Sequence, residues 1–132
     1  MAKPLPVWDL RAGQPEKLRI LRRQPAEPED DEKILCMLCG HGISTIRARI
    51  EVQGGHEHFF ENPAGFRFRL GCFRSASGVD SVGSYTEEFT WFPGFSWCYC
   101  LCGNCRAHLG WQYAGGEEGF FGLILDRLVQ PD

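Results

Sequence analysis

Two kinds of residue in this chain stand at spacings that can do chemistry. The first is cysteine: Cys36-Met37-Leu38-Cys39 and Cys102-Gly103-Asn104-Cys105 are two C-x-x-C pairs separated by 62 residues. In such a pair a tight turn aims two thiolates at one tetrahedral ion, and Gly40 and Gly103 supply the backbone freedom that a knuckle needs. Together Cys36, Cys39, Cys102 and Cys105 predict a structural four-cysteine zinc site. Four thiolates leave no open coordination position for water, so the ion closes the fold and takes no part in a reaction. Ion binding of this kind contributes on the order of 10 kcal/mol to folding. The competing reading is a redox-active pair without metal, but no βαβ pattern surrounds either motif, which argues against a thioredoxin-like site. Cys72, Cys98 and Cys100 are left over from a total of 7. No basic neighbour in sequence lowers their pKa, and they read as buried small hydrophobes rather than nucleophiles.

The second kind is aromatic. Eight aromatic residues fall among the 25 from Phe89 to Tyr113, and Trp91, Trp97 and Trp111 lie within 21 residues. Trp111 and Tyr113, at i and i+2, share one face of a strand, while a turn at Pro93-Gly94 brings Trp91 round towards Trp97. The three indoles can wall a pocket together, with the Cys102 to Cys105 knuckle locking the two halves of the wall in register. The plainer alternative is that all three are core packing.

The elements that must position these groups read as short strands. Ile46, Ala48, Ile50 and Val52 alternate with Arg47, Arg49 and Glu51, and Phe66, Phe68 and Leu70 alternate with Arg67 and Arg69, the pattern of half-buried strands. Trp97, Tyr99 and Leu101 alternate with Cys98, Cys100 and Cys102, and Phe120 to Leu128 is a longer segment rich in strand formers. Gly54-Gly55, Asn62 to Gly65, Pro93-Gly94 and Gly115-Gly116 punctuate them as turns. No repeat beyond the two C-x-x-C pairs and no convincing amphipathic helix is found, so the expectation is an all-β domain of mostly antiparallel sheet over residues 34–132. Residues 1–33 carry five prolines and an acidic run from Glu29 to Glu32, and read as an extended or partly disordered arm.

A chain of 132 residues with 43% hydrophobic and 23% charged residues has the make-up of one globular domain. No apolar run approaches the roughly 20 residues that span a bilayer, and the N-terminus lacks the apolar core of a signal peptide. Together with an odd cysteine count, this predicts a reduced, cytoplasmic setting and no membrane partner. A net charge of -3 provides no basic field for a phosphate backbone, so nucleic acid is not an expected partner.

The run Thr90-Trp91-Phe92-Pro93-Gly94-Phe95-Ser96-Trp97, then Cys102-Gly103-Asn104-Cys105 and His108-Leu109-Gly110-Trp111-Gln112-Tyr113, closely resembles the thalidomide-binding domain of cereblon, the CULT domain. Asn62-Pro63-Ala64-Gly65-Phe66 and Phe121-Gly122-Leu123-Ile124 also look like that family, and the likeness covers about residues 34 to 129. It is greatest to stand-alone bacterial cereblon-like proteins, since the chain has no room for cereblon's other regions. The resemblance implies a β-tent fold, two antiparallel sheets pinned at one end by the four-cysteine zinc. It further implies a cage of Trp91, Trp97 and Trp111, with Tyr113 as a fourth aromatic, around a cyclic imide such as glutarimide. Main-chain groups at Phe89 and Trp91 would read the imide edge, Asn62 and Pro63 would close another side, and His108 would be structural. Phe89 departs from the histidine of animal cereblons, which costs little if its role is main-chain. Expected ligands are a small-molecule cyclic imide, a uracil-like ring sharing part of that edge, or a protein whose C-terminus has cyclised to an imide.

Two other functions compete with this non-catalytic binding module. One is an enzyme like the B-type methionine sulfoxide reductases, which share a paired C-x-x-C zinc fold; it needs an activated cysteine facing the pocket, and Cys98 and Cys100 alternate away from Trp97 and Tyr99. The other is a reader of methylated lysine, in which the aromatic cage attracts a cation and Glu87 and Glu88 offer counter-charge.

Overall fold

A computed structural model describes residues 32–131, and residues 1–31 of the expected arm lie outside the described residues. The described residues form nine strands: β1 (Lys33–Cys36), β2 (Gly42–Thr45), β3 (Glu57–Glu61), β4 (Arg67–Phe73), β5 (Val79–Thr86), β6 (Ser96–Cys102), β7 (His108–Gly115), β8 (Glu118–Ile124) and β9 (Leu128–Val129). All pairings are antiparallel. They build a small sheet ordered β2-β1-β9 and a six-stranded sheet ordered β3-β4-β8-β7-β6-β5. The strand patterning predicts the all-β, antiparallel character, and the family resemblance implies the two-sheet arrangement; both are found.

Both faces of the large sheet are covered. Ile34 and Ile43 of the small sheet pack with Phe73, Leu109, Leu123 and Leu128 on one side. On the other side Leu70, Cys72, Trp111, Tyr113, Phe120 and Ile124 pack beneath Phe92, which comes from the loop between β5 and β6. Phe92 is fully buried and meets Tyr113 and Phe120 edge-on, with ring centroids 4.8 and 5.0 Å apart. Such edge-to-face contacts suit the aromatic quadrupole.

One expected strand does not form. Ile46–Ala48 is a turn of 3-10 helix, and Arg49 and Val52 make isolated bridges to Phe73 and Gly55. The alternation of burial along 46–52 survives, because the segment runs beside the end of β4, with Ile50 N–H donating to the Cys72 carbonyl and Arg74 N–H to that of Ala48. The rest of that edge of β4 is already paired with β3, so only a few rungs remain and no ladder is built. Likewise the long apolar segment from Phe120 to Leu128 divides into β8, a 3-10 turn at Leu125–Arg127, and β9.

A register shift in the β6–β7 pairing positions the site. Cys100 stands opposite Gly110 but Leu101 opposite His108, so Leu109 is the extra residue of a bulge. Residues three apart on a regular strand face opposite ways; the bulge turns His108 to the same face as Trp111, with ring centroids 4.8 Å apart.

Candidate functional site

The two knuckles come together where the small sheet meets the turn between β6 and β7. The sulfurs of Cys36 and Cys105 are 3.7 Å apart and those of Cys39 and Cys102 3.6 Å. All four lie within 4.8 Å of one another. A tetrahedral ion with metal–sulfur bonds of about 2.3 Å places its ligands about 3.8 Å apart, so the donors present fit such a site. Cys36 and Cys102 are buried and Cys39 and Cys105 lie at the surface. The protein adds its own electrostatic support: the Asn104 side chain, aided by the His41 backbone, pulls the Cys39 thiol down to about 6. At Cys105 the Ala107 backbone also favours the thiolate, but desolvation and the three neighbouring sulfurs outweigh it and push the thiol up to about 11. Four adjacent thiolates repel one another unless a cation lies between them. The four cysteines paired in the sequence are the four that the fold brings within metal-binding distance of one another.

The second feature is a cavity of about 300 Å³ on the Phe92 side of the large sheet. The turn between β3 and β4 contributes Asn62 and Pro63, the loop before β6 contributes Phe89 and Trp91, and the strands contribute Trp97 from β6 and Trp111 and Tyr113 from β7. All seven residues singled out in the sequence therefore line one space. Phe68, Tyr99 and His108 join them. Trp91 lies parallel on Phe60, 4.9 Å between centroids and 8° between planes, and meets Trp111 edge-on at 5.0 Å. Trp97 is directly opposite Tyr113 in the register, and Tyr99 opposite Trp111.

Each wall is held by local bonds. Asn62 spends its Oδ1 on its own turn, accepting the N–H groups of Ala64 and Phe66 at 3.0 and 2.9 Å. Trp97 donates its indole N–H to the Glu88 carbonyl at 2.8 Å, and Thr90 N–H donates to Glu87. Between these fixed points Phe89 adopts φ +55° while 69% exposed, a left-handed conformation that costs a non-glycine residue about 1–2 kcal/mol. Among the described residues, neither the N–H nor the C=O of Phe89 or of Trp91 has a hydrogen-bond partner. Among the described residues, no charged side chain lines the cavity. Burial lowers the pKa of His108, assisted by the positive charge of Arg127, although the Gly110 carbonyl works the other way. The neutral ring donates Nε2–H to that carbonyl at 2.9 Å. Burial also raises the Tyr113 phenol, which stays protonated.

No protein-family model matches the chain. Among curated proteins, cereblon of Drosophila yakuba is 37% identical over 103 residues, 72% of this chain and 18% of that protein. The cereblons of Xenopus tropicalis and Danio rerio are each 29% identical, over 82 and 75 residues, which is 55% and 53% of this chain and 18% and 17% of theirs. The chain carries a cereblon-like domain of the CULT type. It spans less than a fifth of the length of these relatives.

Three cavity residues of the cereblon-like domain were not picked out from the sequence. Tyr99 was within reach of the alternation, being two residues from Trp97 on one strand and therefore on the same face. Phe68 follows from its strand position, inward on β4 opposite Phe60. The resemblance implies a structural part for His108, and its place on the cavity wall depends on the bulge, which no pattern in the sequence announces. Burial pushes the thiols of Cys72 and Cys100 up to about 12, Cys98 is buried as well, and among the described residues no cysteine lines the cavity. Among the described residues no helix is long and apolar enough to cross a membrane.

Proposed function

We propose that this cereblon-like domain binds, without catalysing a reaction, a small planar ring bearing an N–H between two carbonyls: a cyclic imide of the glutarimide or thalidomide type. Uracil-like rings and protein C-termini cyclised to an imide belong to the same chemical class. The observation that carries the proposal is the pair of main-chain sites at Phe89 and Trp91, without partners among the described residues, on the rim of a cavity whose described lining is largely aromatic and uncharged. The faces of such a ring are apolar and gain dispersion and area burial against the indoles of Trp91, Trp97 and Trp111. Its edge needs one acceptor flanked by donors, and main-chain groups on a fixed loop offer both. Neutral His108 suits a neutral ligand.

The ion at Cys36, Cys39, Cys102 and Cys105 is zinc in this proposal, since four thiolates in tetrahedral spacing are its usual structural ligand set. It would hold the small sheet and the β6–β7 turn together and leave the cavity chemistry to the organic side chains. A thiol-reducing compartment, as in the cytoplasm, suits the unpaired cysteines. The cavity offers little to the rival functions: a sulfoxide reductase needs a reactive thiol beside its substrate, and a methyl-lysine reader gains from a carboxylate beside the cage, and neither group is among the lining residues.

The test is a titration of metal-loaded protein with bare glutarimide, following tryptophan fluorescence, with the N-methylated imide as control. Saturable quenching by the free N–H imide and none by the N-methyl compound is expected. Equal response to both, or to neither, would overturn edge recognition.

A further inference from the structure

Beside the aromatic cavity lies a second, apolar groove of about 340 Å³, walled by Met37 and Leu38 of the first knuckle, by Ala107, His108 and Leu109 at the start of β7, and by Arg127. His108 lines both spaces, so the groove and the cavity are neighbours with one imidazole between them. Met37 and Leu38 are 54% and 78% exposed. Two large apolar side chains at the tip of a surface turn gain nothing from folding there, and become favourable when something apolar covers them.

Arg127 stands at the edge of this groove. Its Nη1 donates to the His108 carbonyl at 2.7 Å, its guanidinium lies 5.9 Å from the centroid of Phe68, and its own carbonyl accepts the Met37 N–H at 3.0 Å. The ion pairs among the described residues engage Arg47, Arg67, Arg69 and Arg106 but not Arg127. A guanidinium with donors to spare, fixed beside an apolar trough, is complementary to a carboxylate on an otherwise apolar chain.

We propose that the ligand has two parts, and that this groove holds the second: an extended apolar segment with an acidic group, leading into the ring that occupies the cavity. The proposal rests on the reading of the cavity as an imide site and names the class of molecule that carries the imide, a peptide whose C-terminal ring is preceded by an aliphatic and an acidic residue. The aliphatic side chain covers Met37 and Leu38, and the acid meets Arg127.

The experiment compares three probes on metal-loaded protein: bare glutarimide, a short capped peptide with glutamate and leucine before a C-terminal glutarimide, and the same peptide with lysine and serine. Ring-opened forms of both peptides serve as controls. The leucine–glutamate peptide is expected to bind about tenfold more tightly than the lysine–serine peptide, and the gap should shrink below about threefold in Arg127→Gln and in Leu38→Ala, with bare glutarimide affinity and metal content unchanged. Equal affinity of the two peptides, or a gap that persists in both variants, overturns the groove while leaving the imide site standing. If bare glutarimide fails to bind and the ring-opened peptides keep the preference, the groove stands and the imide reading falls. Failure of every probe overturns both.

Discussion

At the scale of single residues, the proposed binding role separates side chains that would touch a ligand from those that would support the touching. Trp97 is half-buried and anchored through its indole N–H, so Trp97→Ala should weaken imide binding by on the order of 100-fold, while bound metal, measured by elemental analysis, stays at one ion per chain. Trp111 is only 8% exposed, and its removal would also leave a cavity costing about 3–5 kcal/mol; calorimetry should show that loss for Trp111→Ala and much less for Trp97→Ala. His108 provides a pH test. Its folded-state pKa lies below the ordinary imidazole value, so the unfolded chain takes up a proton first as pH falls. The stability it contributes is therefore full above about pH 6.5 and is lost as pH drops from there towards the depressed value. Denaturation midpoints between pH 5 and 7 should fall less steeply for His108→Gln than for the wild type, with metal content checked at each pH. The tryptophans and cysteines were legible because each carries a chemistry that few other residue types share. His108 was not, because its importance lies in where a bulge aims it.

At the scale of elements, the loop between β5 and β6 and the close contact of β2 with the turn before β5 make separate predictions. If the main chain of Phe89 reads the ligand, its side chain is dispensable: Phe89→Gly exchanges about 1–2 kcal/mol of left-handed strain for roughly 0.5–1 kcal/mol of added chain entropy. Stability should hold steady or rise slightly, and imide affinity should stay within about threefold. Phe89→Pro, locked at φ near -65°, should lose binding in the same titration. Gly78 has a different constraint. A Cβ there would sit 1.9 Å from the Gly42 carbonyl oxygen, and its own carbonyl accepts the Gly103 N–H at 2.8 Å, so it joins β2 to the second knuckle. Gly78→Ala should cost more than about 2 kcal/mol in chemical denaturation. Strand existence was readable at this scale, since β4, β6 and β8 follow period-two alternation or strand-former enrichment. Partnering was not: alternation along 46–52 correctly marks which residues turn inward but cannot know that β3 has already taken that edge of β4.

At the scale of the whole molecule, the ion and the small sheet do the same work. The described cysteine donors come from the beginning of the domain and from the turn between β6 and β7, so removing the metal releases a long-range crosslink as well as four repelling thiolates. Chelation at neutral pH, or Cys36→Ser or Cys105→Ser, should abolish the cooperative unfolding transition by circular dichroism; an unchanged transition in metal-free protein would show that the sheets close without it. The small sheet reinforces this closure in a way that bears on how the protein is made. β1 is the first described strand to be synthesised, and its partner β9 is the last, with Leu128 opposite Cys36. A nascent chain thus presents Ile34, Ile43 and half a metal site long before their counterparts exist, and contacts so distant in sequence form slowly. The finished set of four sulfurs becomes available only once Cys105 has emerged, and the sheet beside it closes only when β9 arrives. Loading of the ion therefore reports that translation has passed the turn between β6 and β7, and a chain truncated before β9 would hold its metal yet expose the apolar face of β1 to degradation.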